Sequence, residues 1–337
     1  MLKHEMQLRW PVEWREVVAG KRFRGFEVGI CLRKSLKWFS KATSQDNVEV
    51  EFLWAICARL PYDYGGMRIA LYHSSLDTKS VLNGGMATFE VYDLPNFVSN
   101  DQISSAEMWV ANEHPKYNAV TVGWTVNPSL YSDSKTHFFT GWTVLIIFSF
   151  IVLTGVMFDM HTLGSTVLFK QNDDNGPGCY NLRCDGFVPV NNAPITPGDT
   201  LDLNNGRLEM TVKIFKSQDD GDWWLHFGND SNNMKPVGYW PKSLFTSLED
   251  HANVILWGGY TQSFAGTASP PMGNGQWPGK DSAFIRDVKF VDTNGQGYKP
   301  APWPAGLTAF ASHKKCYQIS PYLDDKFYYG GPGGCTI

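Results

Sequence analysis

The side chains in this 337-residue chain that could do chemistry are its carboxylates, histidines and cysteines, and their spacing limits what they can do. Asp219, Asp220 and Asp222 crowd together just before Trp223. An Asp-Asp-Gly-Asp run of this kind is far more often a hairpin turn than a calcium or catalytic site. The eight histidines are dispersed and none belongs to an H-E-x-x-H helix. No G-x-S-x-G elbow anchors a serine hydrolase, and Pro278-Gly-Lys-Asp-Ser lacks phosphate-loop spacing. None of these patterns marks a metal or phosphate site. Among the six cysteines, Cys179 and Cys184 flank four residues, and Cys316 and Cys335 bracket a glycine-rich tail. Neither pair has C-x-x-C spacing, so local disulfides outweigh a metal site or free thiols. Cys31 and Cys57 are left without an assigned pairing.

The elements that must position these residues read as strands. Gly and Pro total 51 (32 and 19), and aromatics make up 14% of the chain against 18% charged residues. That composition favours a turn-rich β protein, and a hydrophobic content of 43% argues against disorder of the chain as a whole. With 29 basic and 33 acidic residues and no basic cluster in a recognition fold, a nucleic-acid partner is not expected. From Met67 onward, short alternating segments are separated by Gly, Pro, Asn and Asp: ATFEVYD from Ala87, EMWV from Glu107, VTVGWTVN from Val120, WWLHF from Trp223 and FIRDVKFVD from Phe284. In RLEMTVKIF from Arg207, Leu208, Met210, Val212 and Ile214 share one face, the signature of a half-buried antiparallel strand. A short helix is expected over Pro241–Leu248, because proline suits a first helical turn.

Two regions do not fit this texture. Residues 1–66 carry 11 Lys/Arg against 8 Asp/Glu, without clear caps or an apolar run of leader type, and form an ill-defined N-terminal segment. Phe138 to Phe158 is a stretch of 21 residues without a charge, long and apolar enough for a membrane span. One N-glycosylation sequon, Asn229-Asp-Ser, is present.

Several stretches together resemble the plant neprosin family of glutamic endopeptidases. They are YGGM at Tyr64 or its echo NGGMATFEVYD at Asn83, VGWTVNPSLYSD at Val122 and HFFTGWT at His137. GCYNLRCDGFV at Gly178, GDWWLHFG at Gly221, GYWPKSLFTSL at Gly238, WGGYT at Trp257 and FYYGGPGGC at Phe327 complete the set. The order and approximate spacing agree over residues 67–337, interrupted by an apolar insert at about 144–171. The resemblance implies an all-β, antiparallel double-sheet β-sandwich, secreted, with disulfides Cys179–Cys184 and Cys316–Cys335. It further implies cleavage after proline by two glutamates: one carboxylate activates water while the other, protonated, polarises the carbonyl and donates to the leaving nitrogen. Two close carboxyls cannot both ionise easily, so such a pair works best in acid, and the resemblance implies that it needs no metal and no cofactor.

The chain departs from that pattern where the chemistry should be. The family's first glutamate precedes Gly-Trp by two residues, and Thr121 stands there. The second falls at Tyr260 in Trp-Gly-Gly-Tyr, or at Leu256 if it lies just before the tryptophan. None of these three is acidic, so the reading is a peptidase-family domain impaired in catalysis. For Glu107 and Glu90, an outward, solvated role outweighs a substitute catalytic one. Trp124, Tyr239, Trp240 and Trp257 are candidates to hold a prolyl ring by stacking, although ordinary core packing outweighs that role for each tryptophan. The expected partners are proline-containing peptides or cell-wall material. The alternative function is a non-catalytic secreted domain that binds peptide or glycan. A membrane location depends on Phe138–Phe158, whose position inside a sandwich argues instead for retained intron sequence from Val144 to Gln171.

Overall fold

The computed structural model describes residues 67–74, 79–94, 100–148, 178–203, 208–264, 266–300 and 306–336. Its strands, in chain order, are β1 (Arg68–His73), β2 (Gly84–Val91), β3 (Gln102–Asn112), β4 (Lys116–Val126), β5 (His137–Phe148), β6 (Gly178–Tyr180), β7 (Val188–Pro189) and β8 (Leu208–Lys216). They continue with β9 (Trp223–Gly228), β10 (Lys235–Trp240), β11 (Val254–Ser263), β12 (Phe284–Val291), β13 (Gly297–Tyr298), β14 (Thr308–Ala311), β15 (Gln318–Ile319) and β16 (Lys326–Gly330).

Among the described residues these strands build two sheets. The seven-stranded sheet runs β14-β1-β11-β3-β4-β5-β6; the nine-stranded sheet runs β15-β16-β12-β2-β8-β9-β10-β7, with β13 beside β12. Every registered pair is antiparallel, so residues alternate cleanly between the two faces of each sheet. Met210, Val212 and Ile214 of β8 are fully buried in the core between the sheets, as the alternation in the sequence predicts. The facing sheet contributes Ala106, Met108 and Val110 from β3 and Val120, Val122 and Trp124 from β4. This is a double-sheet antiparallel sandwich.

Local chemistry closes the connections. Helix α1 (Pro128–Tyr131) follows β4: the Asn127 side chain caps it by accepting from the Leu130 N–H, and Pro128 opens its first turn. The helix expected over Pro241–Leu248 shrinks to a 3₁₀ turn at Lys242–Leu244, which lacks a side-chain cap and passes into extended backbone at Phe245. Cys179–Cys184 ties β6 to its turn, and Cys316–Cys335 ties the loop after β14 to the C-terminal tail. Cys31 and Cys57 lie outside the described residues, as does the whole of residues 1–66.

The apolar run begins inside the sheet. Phe138 through Thr143 pair with β4, and Thr143, Trp142 and Gly141 pair on the other side with Gly178, Cys179 and Tyr180. β5 continues through Val144 to Phe148, so the first five residues of the expected insert extend a strand. Residues 149–177 lie outside the described residues. Among the described residues no helix is long and apolar enough to cross a membrane.

Candidate functional site

The outward face of the seven-stranded sheet carries the positions singled out as the family's glutamate sites. β3 lies between β11 and β4, and Glu107 at its middle is in register with Gly258 on one side and Gly123 on the other. Alternation then explains two of the sequence motifs. In Gly123-Trp124 and Trp257-Gly258, the tryptophan turns into the core and the glycine stands beside Glu107. A Cβ on Gly123 would sit 2.0 Å from the Ala106 carbonyl oxygen, and one on Gly258 would sit 2.3 Å from the Leu71 Cβ. Only glycine fits either place, and two adjacent glycines leave the Glu107 carboxyl flanked by residues without side chains.

Around that carboxyl the face is polar. Thr121 on β4 donates from Oγ1 to Glu107 Oε2 at 3.3 Å and to the Met108 carbonyl at 3.1 Å. Ser105, two residues earlier on β3, also hydrogen-bonds the Glu107 carboxyl and donates to Thr125 Oγ1 at 2.7 Å. On β11, Tyr260 donates from its hydroxyl to Gln262 Oε1 at 2.6 Å. Tyr131 of α1 and Tyr180 of β6 complete the surroundings, the Tyr131 oxygen accepting from Asn181 Nδ2 at 2.8 Å.

Burial controls the electrostatics. Glu107 is only 3% exposed, and desolvation pushes its carboxyl up to about 7, against the opposing pull of the Ser105 and Thr121 hydrogen bonds. The phenols answer in the same direction. Burial pushes Tyr131 up to about 12, and burial and the Glu107 charge together raise Tyr180 and Tyr260. Near neutral pH the site therefore holds one carboxyl poised between its two forms, ringed by hydroxyls that stay protonated. It can accept or deliver one proton at a time.

Glu107 and Glu90 are therefore both buried (3% and 0% exposed), in contrast to the outward, solvated role expected of each. Glu90 stands opposite Glu209 on β8, in the other sheet, and takes no part in this arrangement. Trp124, Trp240 and Trp257 are fully buried in the core between the sheets. Tyr239 is half-buried and pairs in register with Trp224 on the nine-stranded sheet. The four aromatics thus do not converge on the Thr121–Glu107–Tyr260 face. Leu256 lies on that face, one step along β11 on the opposite side of Gly258 from Tyr260, within a small apolar cluster with Ile69, Leu71 and Ala111. Asn229 is exposed in the turn between β9 and β10. Asp219, Asp220 and Asp222 form the β8–β9 hairpin turn, where Asp220 Oδ1 accepts from the Asp222 N–H at 2.9 Å. Among the described residues no group of three or more His, Cys, Asp or Glu is disposed to hold a metal ion.

Sequence reasoning did not find Ser105, Tyr131, Tyr180 and Gln262. Only Ser105 carried a usable signal, since it shares the Glu107 face by two-residue alternation.

A family model described as Neprosin matches residues 100–149 and 146–332. The chain belongs to the neprosin family. The first match takes in β3, β4 and β5, and the second takes in β6 through β16. Within this neprosin domain, Thr121 and Tyr260 lie on the two strands that flank Glu107, each two residues out of register with it, opposite Trp109 and Ser105 respectively. Two crystal structures of scytalido-glutamic peptidase also resemble the chain. One holds a transition-state analog inhibitor (TM-score 0.37, 6% identity, 78% of this chain and 97% of that one). The other holds a peptide-based transition-state analog (TM-score 0.35, 8% identity, 79% and 97%).

Proposed function

We propose that this is a secreted neprosin-type glutamic peptidase domain impaired at its chemical step, with proline-containing peptides as its substrate class. The observation that carries this reading is that Thr121, Glu107 and Tyr260 share one face of three adjacent strands, with Thr121 and Tyr260 set diagonally on either side of Glu107. The neprosin pattern assigns glutamates to the two outer positions, and here a hydroxyl and a phenol occupy them. The remaining carboxyl, Glu107, has no second carboxylate as partner at those positions. With its carboxyl raised to about 7, it is protonated in the acid range where a glutamate pair would operate. A protonated carboxyl can polarise a carbonyl but cannot activate water, so half of the two-carboxylate mechanism is missing. Loss of one member of such an acid–base pair typically costs about 10²- to 10⁴-fold in rate. The disulfides and the family together support an oxidising, extracellular setting.

The test is cleavage of a proline-containing peptide across the acid range by the unaltered chain, by Thr121→Glu/Tyr260→Glu, and by the same double variant with Glu107→Gln. The unaltered chain is expected to be silent. Because Thr121 already touches the Glu107 carboxyl, a glutamate there places two carboxyls within hydrogen-bonding reach, and a third follows at Tyr260. The triple variant, which removes the surplus charge, is expected to be the most active of the three. Robust cleavage by the unaltered chain would overturn the impairment.

A further inference from the structure

A second site lies on the other sheet. At the end of the nine-stranded sheet, the β8–β9 and β12–β13 turns enclose a depression of about 400 Å³ floored by Phe215 and Trp224 and rimmed by Gln218, Asp219, Asp220 and Asn294. We propose that this depression binds a neutral saccharide. It is separate from the Thr121–Glu107–Tyr260 face, which belongs to the seven-stranded sheet, and it does not depend on the reading of that face.

Three features select this chemistry. The first is a held aromatic surface. Phe215, Trp224 and Tyr239 stand in direct register across β8, β9 and β10. Trp224 is braced on one side by Tyr239, with ring centroids 4.9 Å apart at 31°, and its Nε1–H donates to Asp220 Oδ2 at 3.1 Å. An indole fixed in this way, beside an open depression, offers the π face on which the C–H side of a pyranose stacks. The second is the rim. Gln218, Asp219 and Asn294 are exposed and present carboxylate and amide heads, the groups that accept from and donate to neighbouring sugar hydroxyls. The volume lies within the usual range for small-molecule sites.

The third is the charge. Among the described residues lining the depression none is basic, and the nearest ammonium, Lys213 Nζ, lies 5.0 Å over the Phe215 ring. The nearby lysines are turned to backbone carbonyls: Lys213 Nζ donates to Gly295 at 3.0 Å, and Lys216 Nζ to Gly221 at 2.5 Å and Glu249 at 2.6 Å. Asp219 and Asp220 stand on the rim, whereas the lysine charges are held at backbone carbonyls, so a uronate polymer or a phosphate is disfavoured relative to a neutral sugar. The polar rim is equally poorly suited to a lipid tail.

The experiment is calorimetric titration of the full chain with three neutral hexasaccharides, cellohexaose, xylohexaose and mannohexaose, and with oligogalacturonate and a proline-rich peptide as competitors of other classes. Saturable binding of at least one neutral hexasaccharide is expected. Trp224→Ala should weaken it at least tenfold, Trp224→Phe should restore most of it, and Asp219→Ala should weaken it by about threefold or more. Asp219 is exposed in a turn, so its variant reports on binding even if Trp224→Ala does not fold. Thr121→Glu/Tyr260→Glu should leave saccharide binding unchanged, which separates this site from the peptidase face. Three results would overturn the proposal: no binding of any of the three hexasaccharides at millimolar concentration, binding insensitive to both Trp224→Ala and Asp219→Ala, or displacement by oligogalacturonate or the peptide in a Trp224-dependent manner.

Discussion

The two sheets set carboxyl groups among aromatic rings in opposite ways. On the seven-stranded sheet, Glu107 is buried, and its carboxyl is pushed up to about 7. On the nine-stranded sheet, Asp220 sits at the rim of an open depression, where hydrogen bonds from the Asp222 and Trp224 N–H groups hold its carboxyl below the usual range. The same functional group, ringed by phenols in one place and bonded to an indole in the other, is poised between acid and anion at neutral pH in the first and is a fixed anion in the second. Desolvation outweighs two hydroxyl donors at Glu107, whereas at Asp220 water and N–H donors outweigh a slight burial. Burial, more than residue type, sets which face can do proton chemistry and which can only bind.

The sharpest way to break this contrast is to give the buried face the second carboxylate it lacks. Thr121→Glu/Tyr260→Glu with Glu107→Gln is expected to raise post-proline cleavage by about 10²-fold or more, read as kcat/KM on a proline-containing peptide. Next in size is the contrast between core and rim tryptophans. Trp124 is fully buried and donates from Nε1 to the Glu90 carbonyl at 3.1 Å. Trp124→Ala should cost about 3–5 kcal/mol of unfolding free energy in urea melts, whereas the half-buried Trp224→Ala should cost well under half of that. Equal losses would contradict the placement of the two rings.

A third comparison uses pH. A carboxyl raised on folding binds its proton more tightly in the native state, so its contribution to stability is full below the unfolded value near 4.5 and is lost as pH rises through about 7. Glu107→Gln should remove that loss and flatten the unfolding profile between those limits, by an amount on the order of 3 kcal/mol. The mirror experiment is the smallest. Asp220 is held below the usual range, so it stabilises at neutral pH and loses this below about pH 4, through the acid end. Asp220→Asn should shift only the low-pH limb, by under about 1 kcal/mol, because the group is largely solvated.

Much of this architecture was legible beforehand. Alternating apolar residues such as Leu208, Met210, Val212 and Ile214 have few ways to hide one face other than in a sheet, and β8 does that. The turn at Asp219–Asp222 was legible as well, because aspartates accept from backbone N–H groups two residues ahead. The tryptophans were harder to place. Trp124 and Trp257 lie beside glycines at the candidate site and point away from it, since neighbouring residues in a strand face opposite sides. Glu107 differs from the solvated role that its sequence suggests for a related reason. Its alternation puts it outside the core, and an outer face ordinarily meets water; here the surrounding phenols and the two flanking strands leave it almost no solvent.

By itself, then, the amino-acid sequence determined the strands, the turns, the inward residues and the absence of acid at positions 121, 256 and 260, because each depends on neighbours a few residues away. Tertiary structure alone decided that Thr121, Glu107 and Tyr260 share one outward face and that Phe215, Trp224 and Tyr239 share one register row. The first set brings the distant β11 beside the β3–β4 hairpin, and the second rests on the register of three consecutive strands. Register and burial, which no local spacing encodes, decide which groups meet and what charge they carry.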